Sequence, residues 1–134
     1  MTAAAAAPPS NACALALEAD AATALGADPG PGLETDGEHG SSSCSYGQYP
    51  SLLVVNLLPG EGKAAYANQS SQSAAGAMTP VDGVGDQAFS LTTSGTVGLD
   101  FTQGDNFVSI LLATGTEPHL AEATALAATL AGRL

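Results

Sequence analysis

The most restrictive feature of the sequence is a succession of three strand-length segments between Gln87 and Ala113. Residues 87–93, 97–101 and 107–113 are rich in Phe, Val, Leu, Ile and Thr, and Gly95 and the Gly104-Asp105 pair supply turns between them. Turns this short join antiparallel neighbours, because a parallel connection needs a crossover of a dozen or more residues. Val97, Leu99 and Phe101 alternate with Gly98 and Asp100, so the middle strand has one buried and one wet face. The buried face needs a cover, and the rest of the chain must provide it.

Residues 11–26 predict a first helix: Leu15, Glu18, Ala22 and Leu25 recur at helical spacing among many alanines, and Gly26 follows as a left-handed cap. Residues 27–43 are Gly, Pro, Asp, Glu and Ser without a period, and read as a mobile acidic loop. Residues 44–47 and 51–58 predict a hairpin around Tyr49-Pro50, whose second strand is almost continuously apolar. Pro59-Gly60 ends it, and 61–72 can form a short helix. At the C-terminal end Thr116 can cap a helix with Glu117 and Pro118 in its first turn. Leu120, Ala123, Ala127, Leu130 and Leu134 form its stripe, with Arg133 at its favourable end. The expected architecture is α+β: about five antiparallel strands with helices on one face, in the order α-β-β-α-β-β-β-α. A flexible Ala/Pro-rich tether (1–10) precedes one domain (11–134).

Composition narrows the function. Two Lys plus Arg against 13 Asp plus Glu give a net charge of −11. Nothing here can neutralise a row of phosphates, so nucleic acid is excluded, and an anionic membrane surface would repel the chain. No apolar run approaches the roughly 20 residues of a spanning helix. Residues 1–10 lack the Lys or Arg and the leucine-type run of a signal peptide, so the chain is expected to be a mature or truncated form of an exported parent, with a start Met supplied for expression.

Catalytic motifs are sparse. His39 lies in the acidic loop, His119 at a helix start, no G-x-S-x-G occurs, and Ser70, Ser71 and Ser73 lie in a polar run with no partner base. Enzymatic activity is therefore not expected. Glu34, Asp36, Glu38 and His39 are oxygen-rich, but their spacing is not that of an EF-hand and a solvated acidic loop accounts for them, so no metal is expected. The 81–86 segment has glycines but neither the following helix nor a nearby cation of a phosphate loop, so no cofactor is expected. It reads as a structural turn in which Asp82 and Asp86 bond backbone amides. With aromatic residues at 4%, Tyr46, Tyr49 and Tyr66, with Phe89, Phe101 and Phe107, are the natural lining of any apolar ligand pocket, although most of them are expected in the core. Leu99 and Phe101 or their neighbours are candidates for an uncovered sheet face. Cys13 and Cys44, the only cysteines, sit in no CxxC pair and beside no His. They are either bridged outside the cytoplasm or buried and reduced within it.

Several motifs together resemble a known family. Cys13-Ala-Leu before a helix ending Ala-Leu-Gly26, Cys44-Ser-Tyr46 opening a strand, the Gly83-Val-Gly85-Asp86-Gln-Ala88 segment and the closing Ala-Leu-Ala resemble small secreted actinobacterial lipoproteins of unknown function. More distantly the chain resembles the extracellular sensor domains of mycobacterial serine/threonine kinases. The resemblance implies a Cys13–Cys44 disulfide, export, and attachment to the outer membrane face through an upstream lipidated cysteine. Asn11-Ala12 before Cys13 is not a lipobox, so any such anchor lies outside this chain. The expected function is a non-enzymatic, exported cell-envelope binding or sensory module whose partner is a small molecule or an envelope protein. A protein-recognition, inhibitor or accessory role through the sheet face is the alternative.

Overall fold

The computed structural model describes residues 11–26, 28–37, 41–48, 51–60, 79–81, 83–93, 96–113 and 120–134. Two short helices, α1 (Ala12–Leu15) and α2 (Glu18–Leu25), precede three strands: β1 (Leu33–Asp36), β2 (Ser42–Gln48) and β3 (Ser51–Leu58). Four more strands follow, β4 (Thr79–Pro80), β5 (Gln87–Thr93), β6 (Thr96–Gln103) and β7 (Asn106–Ala113), and α3 (Leu120–Ala131) closes the chain. All seven strands form one antiparallel sheet in the order β1-β2-β3-β7-β6-β5-β4. Two meanders thus meet at the β3–β7 seam.

The register aligns the core into a grid. Leu53, Leu112 and Val97 lie side by side across β3, β7 and β6, as do Val55, Ile110 and Leu99, and then Leu57, Val108 and Phe101. All nine are essentially inaccessible to solvent. The three described helices lie against this face, α1 and α2 over β2 and β3 and α3 over β6 and β7. They contribute mostly alanines to the core: Ala12, Ala16, Ala21 and Ala24 on one side, Ala123, Ala127 and Ala131 on the other. Large side chains stand on the sheet and small ones face them, so a chain poor in aromatics still closes its core by bringing helix backbones near the strands.

The α+β class and antiparallel sheet agree with the sequence reading, whereas strand number and element order differ from it. The single helix expected over 11–26 breaks at Ala16-Leu17, where Ala16 is extended (φ −106°, ψ 110°). Gly26 does cap α2 in the left-handed region (φ 80°). A strand, β1, runs through the stretch read as a patternless acidic loop. Leu-Glu-Thr-Asp has weak strand propensity and is held by its pairing with β2. β4 is a two-residue strand that no periodicity could show. The helix expected over 61–72, the tether over 1–10, Tyr49-Pro50 and Thr116–His119 lie outside the described residues.

Candidate functional site

Side chains alternate between the two faces of a strand, so each helix-facing row has a counterpart on the far face. No described helix lies on that face. Ser43, Asn56, Ser109 and Asp100 line up across β2, β3, β7 and β6, and Phe89 on β5 continues the row. Beside it runs a second row, Leu33, Ser45, Val54, Leu111, Gly98 and Leu91. This second row is partly open: Leu33 is 69% exposed, Leu111 39%, and Val54 and Leu91 are half-buried. Towards the other end the face is closed, with Phe107, Thr102 and Phe89 all buried. The candidate site is therefore a polar stripe flanked by a partly accessible apolar one, on strands whose other face is the buried core.

Asp100 is the only charged side chain on this face among the described residues, although the chain carries 13 carboxylates. Burial pushes its carboxyl above the usual range, and a hydrogen bond donated by the Ser109 hydroxyl only partly offsets that. The Asp100–Ser109 pair offers a hydroxyl and a carboxyl side by side with the Asn56 amide one strand further on. Such a row can exchange hydrogen bonds with backbone or side-chain amides of a partner. Sequence reasoning placed Asp100 on the wet face but did not single out Asn56 or Ser109. Each is a lone polar residue inside an apolar strand, Asn56 in Leu-Leu-Val-Val-Asn-Leu-Leu and Ser109 in Phe-Val-Ser-Ile-Leu-Leu. That interruption was the available signal, and only the register shows the two to be neighbours.

The expected ligand-lining residues lie elsewhere. Leu99 and Phe101 stand in the core grid beneath the helices, so any surface role on β6 passes to Gly98 and Asp100. Tyr46 is 3% exposed, and its hydroxyl donates to the Ala16 carbonyl at 2.7 Å. Tyr49 and Tyr66 lie outside the described residues, as do Glu38, His39, Asp82 and His119. No cluster of three potential metal ligands occurs among the described residues. Asp86 accepts from the Gly104 amide at 2.8 Å, the backbone role expected of it, while Gly83 and Gly85 take positive φ.

Tyr46 belongs to a structural junction. Where α1 and α2 part, the Ala16 carbonyl receives Tyr46, the Leu15 carbonyl receives the Arg133 guanidinium at 2.7 Å, and Asp20 accepts the Leu17 amide at 2.8 Å. Arg133 also grips Asp20 with both terminal nitrogens, at 2.6 and 3.1 Å. Burial alone would raise the Asp20 carboxyl, but hydrogen bonds from Arg133 and the Leu17 amide, with the Arg133 charge, hold it below the usual range. Arg133 was expected to serve its own helix end; its side chain instead ties that end to the α1–α2 break. A nearby groove of about 380 Å³ between α2 and α3 is lined by Ala, Thr and Leu with Asp20 and Glu122. It is a seam left by small residues, and no aromatic side chain lines it.

The cysteines are bridged: Cys13 on α1 bonds to Cys44 on β2, pinning the first helix to the sheet. This bond fits an oxidising, extracytoplasmic environment. No helix among the described residues is long and apolar enough to cross a membrane. In comparisons with known proteins the chain matches no family model, no curated protein and no solved structure.

Proposed function

We propose that this protein is an exported, non-enzymatic binding module of the cell envelope that recognises another protein through the far face of its sheet. The observation that carries this reading is the accessible row Leu33–Val54–Leu111–Leu91 beside the polar stripe Ser43–Asn56–Ser109–Asp100. An accessible apolar row beside a polar one, on strands backed by a buried core, has the character of a protein-recognition surface. The burial of the Tyr46 hydroxyl against Ala16 removes one wall of the tyrosine-lined pocket that a small-molecule sensor would use. The disulfide and the resemblance of the cysteine-bearing segments to small secreted lipoproteins support export and envelope residence. The scarcity of histidine and the lack of a nucleophile motif support a binding role over catalysis.

A photo-reactive residue at position 111, in the chain exported by an actinobacterial host, tests the proposal, with the same residue at the exposed position 125 of α3 as control. Discrete envelope-protein adducts at 111 and none at 125 are expected. Adducts at 125 alone, equal adducts at both positions, or none at either would overturn the assignment.

A further inference from the structure

The two edges of the sheet are not equivalent. At one edge β4 is two residues long and contains Pro80, which has no amide hydrogen to offer a further strand. At the other edge β1 is four residues long, every one exposed, without proline, and among the described residues it pairs only with β2. Its support is rigid: Glu34 lies opposite the disulfide-bridged Cys44, and Asp36 opposite Ser42, whose hydroxyl accepts the Ala12 amide at 2.7 Å. Just before β1, Gly32 passes so close to the Cys44 sulfur and the Tyr46 ring that a Cβ there would meet them at 2.7–2.8 Å. Backbone donors and acceptors along an edge held this way are pre-ordered, which lowers the entropic cost of adding a strand.

The side chains specify what can be added. Glu34 and Asp36 project to the helix side of the sheet, while Leu33 and Thr35 continue the apolar and polar rows of the far face. Antiparallel pairing of β1 with β1 of a second copy keeps each face continuous, and would set Glu34 and Asp36 against the same acids. Self-association at this edge is therefore disfavoured. Among the described residues the only Lys or Arg is Arg133, committed to Asp20 and Leu15, so no Lys or Arg among them neutralises these two carboxylates. We propose that β1 is a strand-addition edge for an extended segment of another protein in which cationic and apolar residues alternate. The cations meet Glu34 and Asp36, the apolar residues extend the row that begins at Leu33, and the charge of −11 speeds encounter. This edge can be filled with the far face bare, so the inference does not rest on the reading above.

The test uses the full chain with its disulfide intact and three capped hexapeptides at low salt: alternating Lys-Val, a Lys₃Val₃ block of the same composition, and alternating Glu-Val. Alternating Lys-Val should bind about tenfold or more tightly than the block peptide. It should slow amide hydrogen exchange within 33–36, and the E34K/D36K chain should transfer its preference to Glu-Val. An L111D chain, altered only on the far face, should bind Lys-Val as before. Equal binding of block and alternating peptides would reduce the interaction to net charge and overturn the proposal. So would protection elsewhere in the sheet, a loss of Lys-Val binding in L111D, or no binding at all.

Discussion

The two faces of one sheet solve different problems with the same seven strands. On the helix side the three-by-three grid of Leu, Val, Ile and Phe is fully buried against helix alanines, and the polar Ser42 at its margin is bonded to the Ala12 amide. On the far side, one residue along each strand, the register assembles Ser43, Asn56, Ser109 and Asp100 instead. A core needs volume complementarity and tolerates no unpaired polar group, whereas a recognition surface needs directional groups on a support that does not move. The contrast shows that the alanine-rich composition is a packing solution: small helix faces let large strand residues carry the core and leave the other face of those strands for the recognition proposed above.

The sharpest way to test this contrast is to truncate adjacent residues on the same strand. Ile110→Ala removes the centre of the grid and should cost about 2–5 kcal/mol in denaturant unfolding. Leu111→Ala, on the far face and 39% exposed, should cost less than about 1 kcal/mol. Similar losses at the two positions would mean that the faces do not differ as described.

The disulfide sharpens a second difference, between the two halves of the sheet. Cys13–Cys44 encloses a loop of sequence separation 31 that holds α2 and β1, and nothing equivalent ties α3 to β5–β7. Replacing both cysteines by serine should lower stability by about 3–4 kcal/mol on the chain-entropy view. Native-state hydrogen exchange should then show β1 and β2 opening before β6 and β7. Uniform loosening of the whole sheet would indicate that the bridge acts on the unfolded chain alone.

How much of this was legible in the sequence follows from the range of the forces involved. The strands β5, β6 and β7, the β2–β3 hairpin, the last helix and the Gly26 cap were readable, because periodicity and turn chemistry are local. The break at Ala16-Leu17 was not, since no Gly or Pro marks it and the freed carbonyls are received by Tyr46 and Arg133 from distant parts of the chain. β1 was missed because its pairing with β2, not its composition, makes it a strand. Leu99 and Phe101 were rightly seen as one face of β6, but periodicity alone cannot say which face the helices cover. The polar stripe needed strand order as well: Asn56 and Ser109 are far apart in sequence and become neighbours only because β3 pairs with β7.

The junction that broke the first helix yields a prediction with a pH signature. Arg133→Ala leaves the Leu15 carbonyl and the Asp20 carboxylate without the guanidinium, and should cost about 2 kcal/mol at neutral pH. Because the folded-state value of Asp20 is depressed, its stabilisation is fully present above the ordinary carboxylate value of 3.8 and is lost as pH falls through the lower folded value. The gap between the native chain and Arg133→Ala should therefore narrow below about pH 4 and be constant from pH 5 to 7. A gap that widened on acidification would place the stabilisation in some group other than Asp20.

Asp100 reverses that sign and gives the smallest effect. Burial raises its folded-state value and the Ser109 hydroxyl only partly lowers it, so the folded chain holds this proton more tightly than the unfolded one. Its contribution to stability is fully present below the ordinary value of 3.8 and fades as pH rises through the raised folded value. Away from acid pH this burial therefore counts against the folded state, on a face with no other charged side chain among the described residues. Asp100→Asn keeps a group that can still bond Ser109 and removes the charge. Its melting temperature at pH 7 should match or slightly exceed that of the native chain, and the advantage should vanish at acid pH. If the proposed recognition is real, the same variant should also weaken partner adducts at position 111, since it gains stability by surrendering the one charged group of the stripe. A variant both more stable and unimpaired in recognition would make Asp100 an incidental residue of β6 and move the site to the apolar row alone.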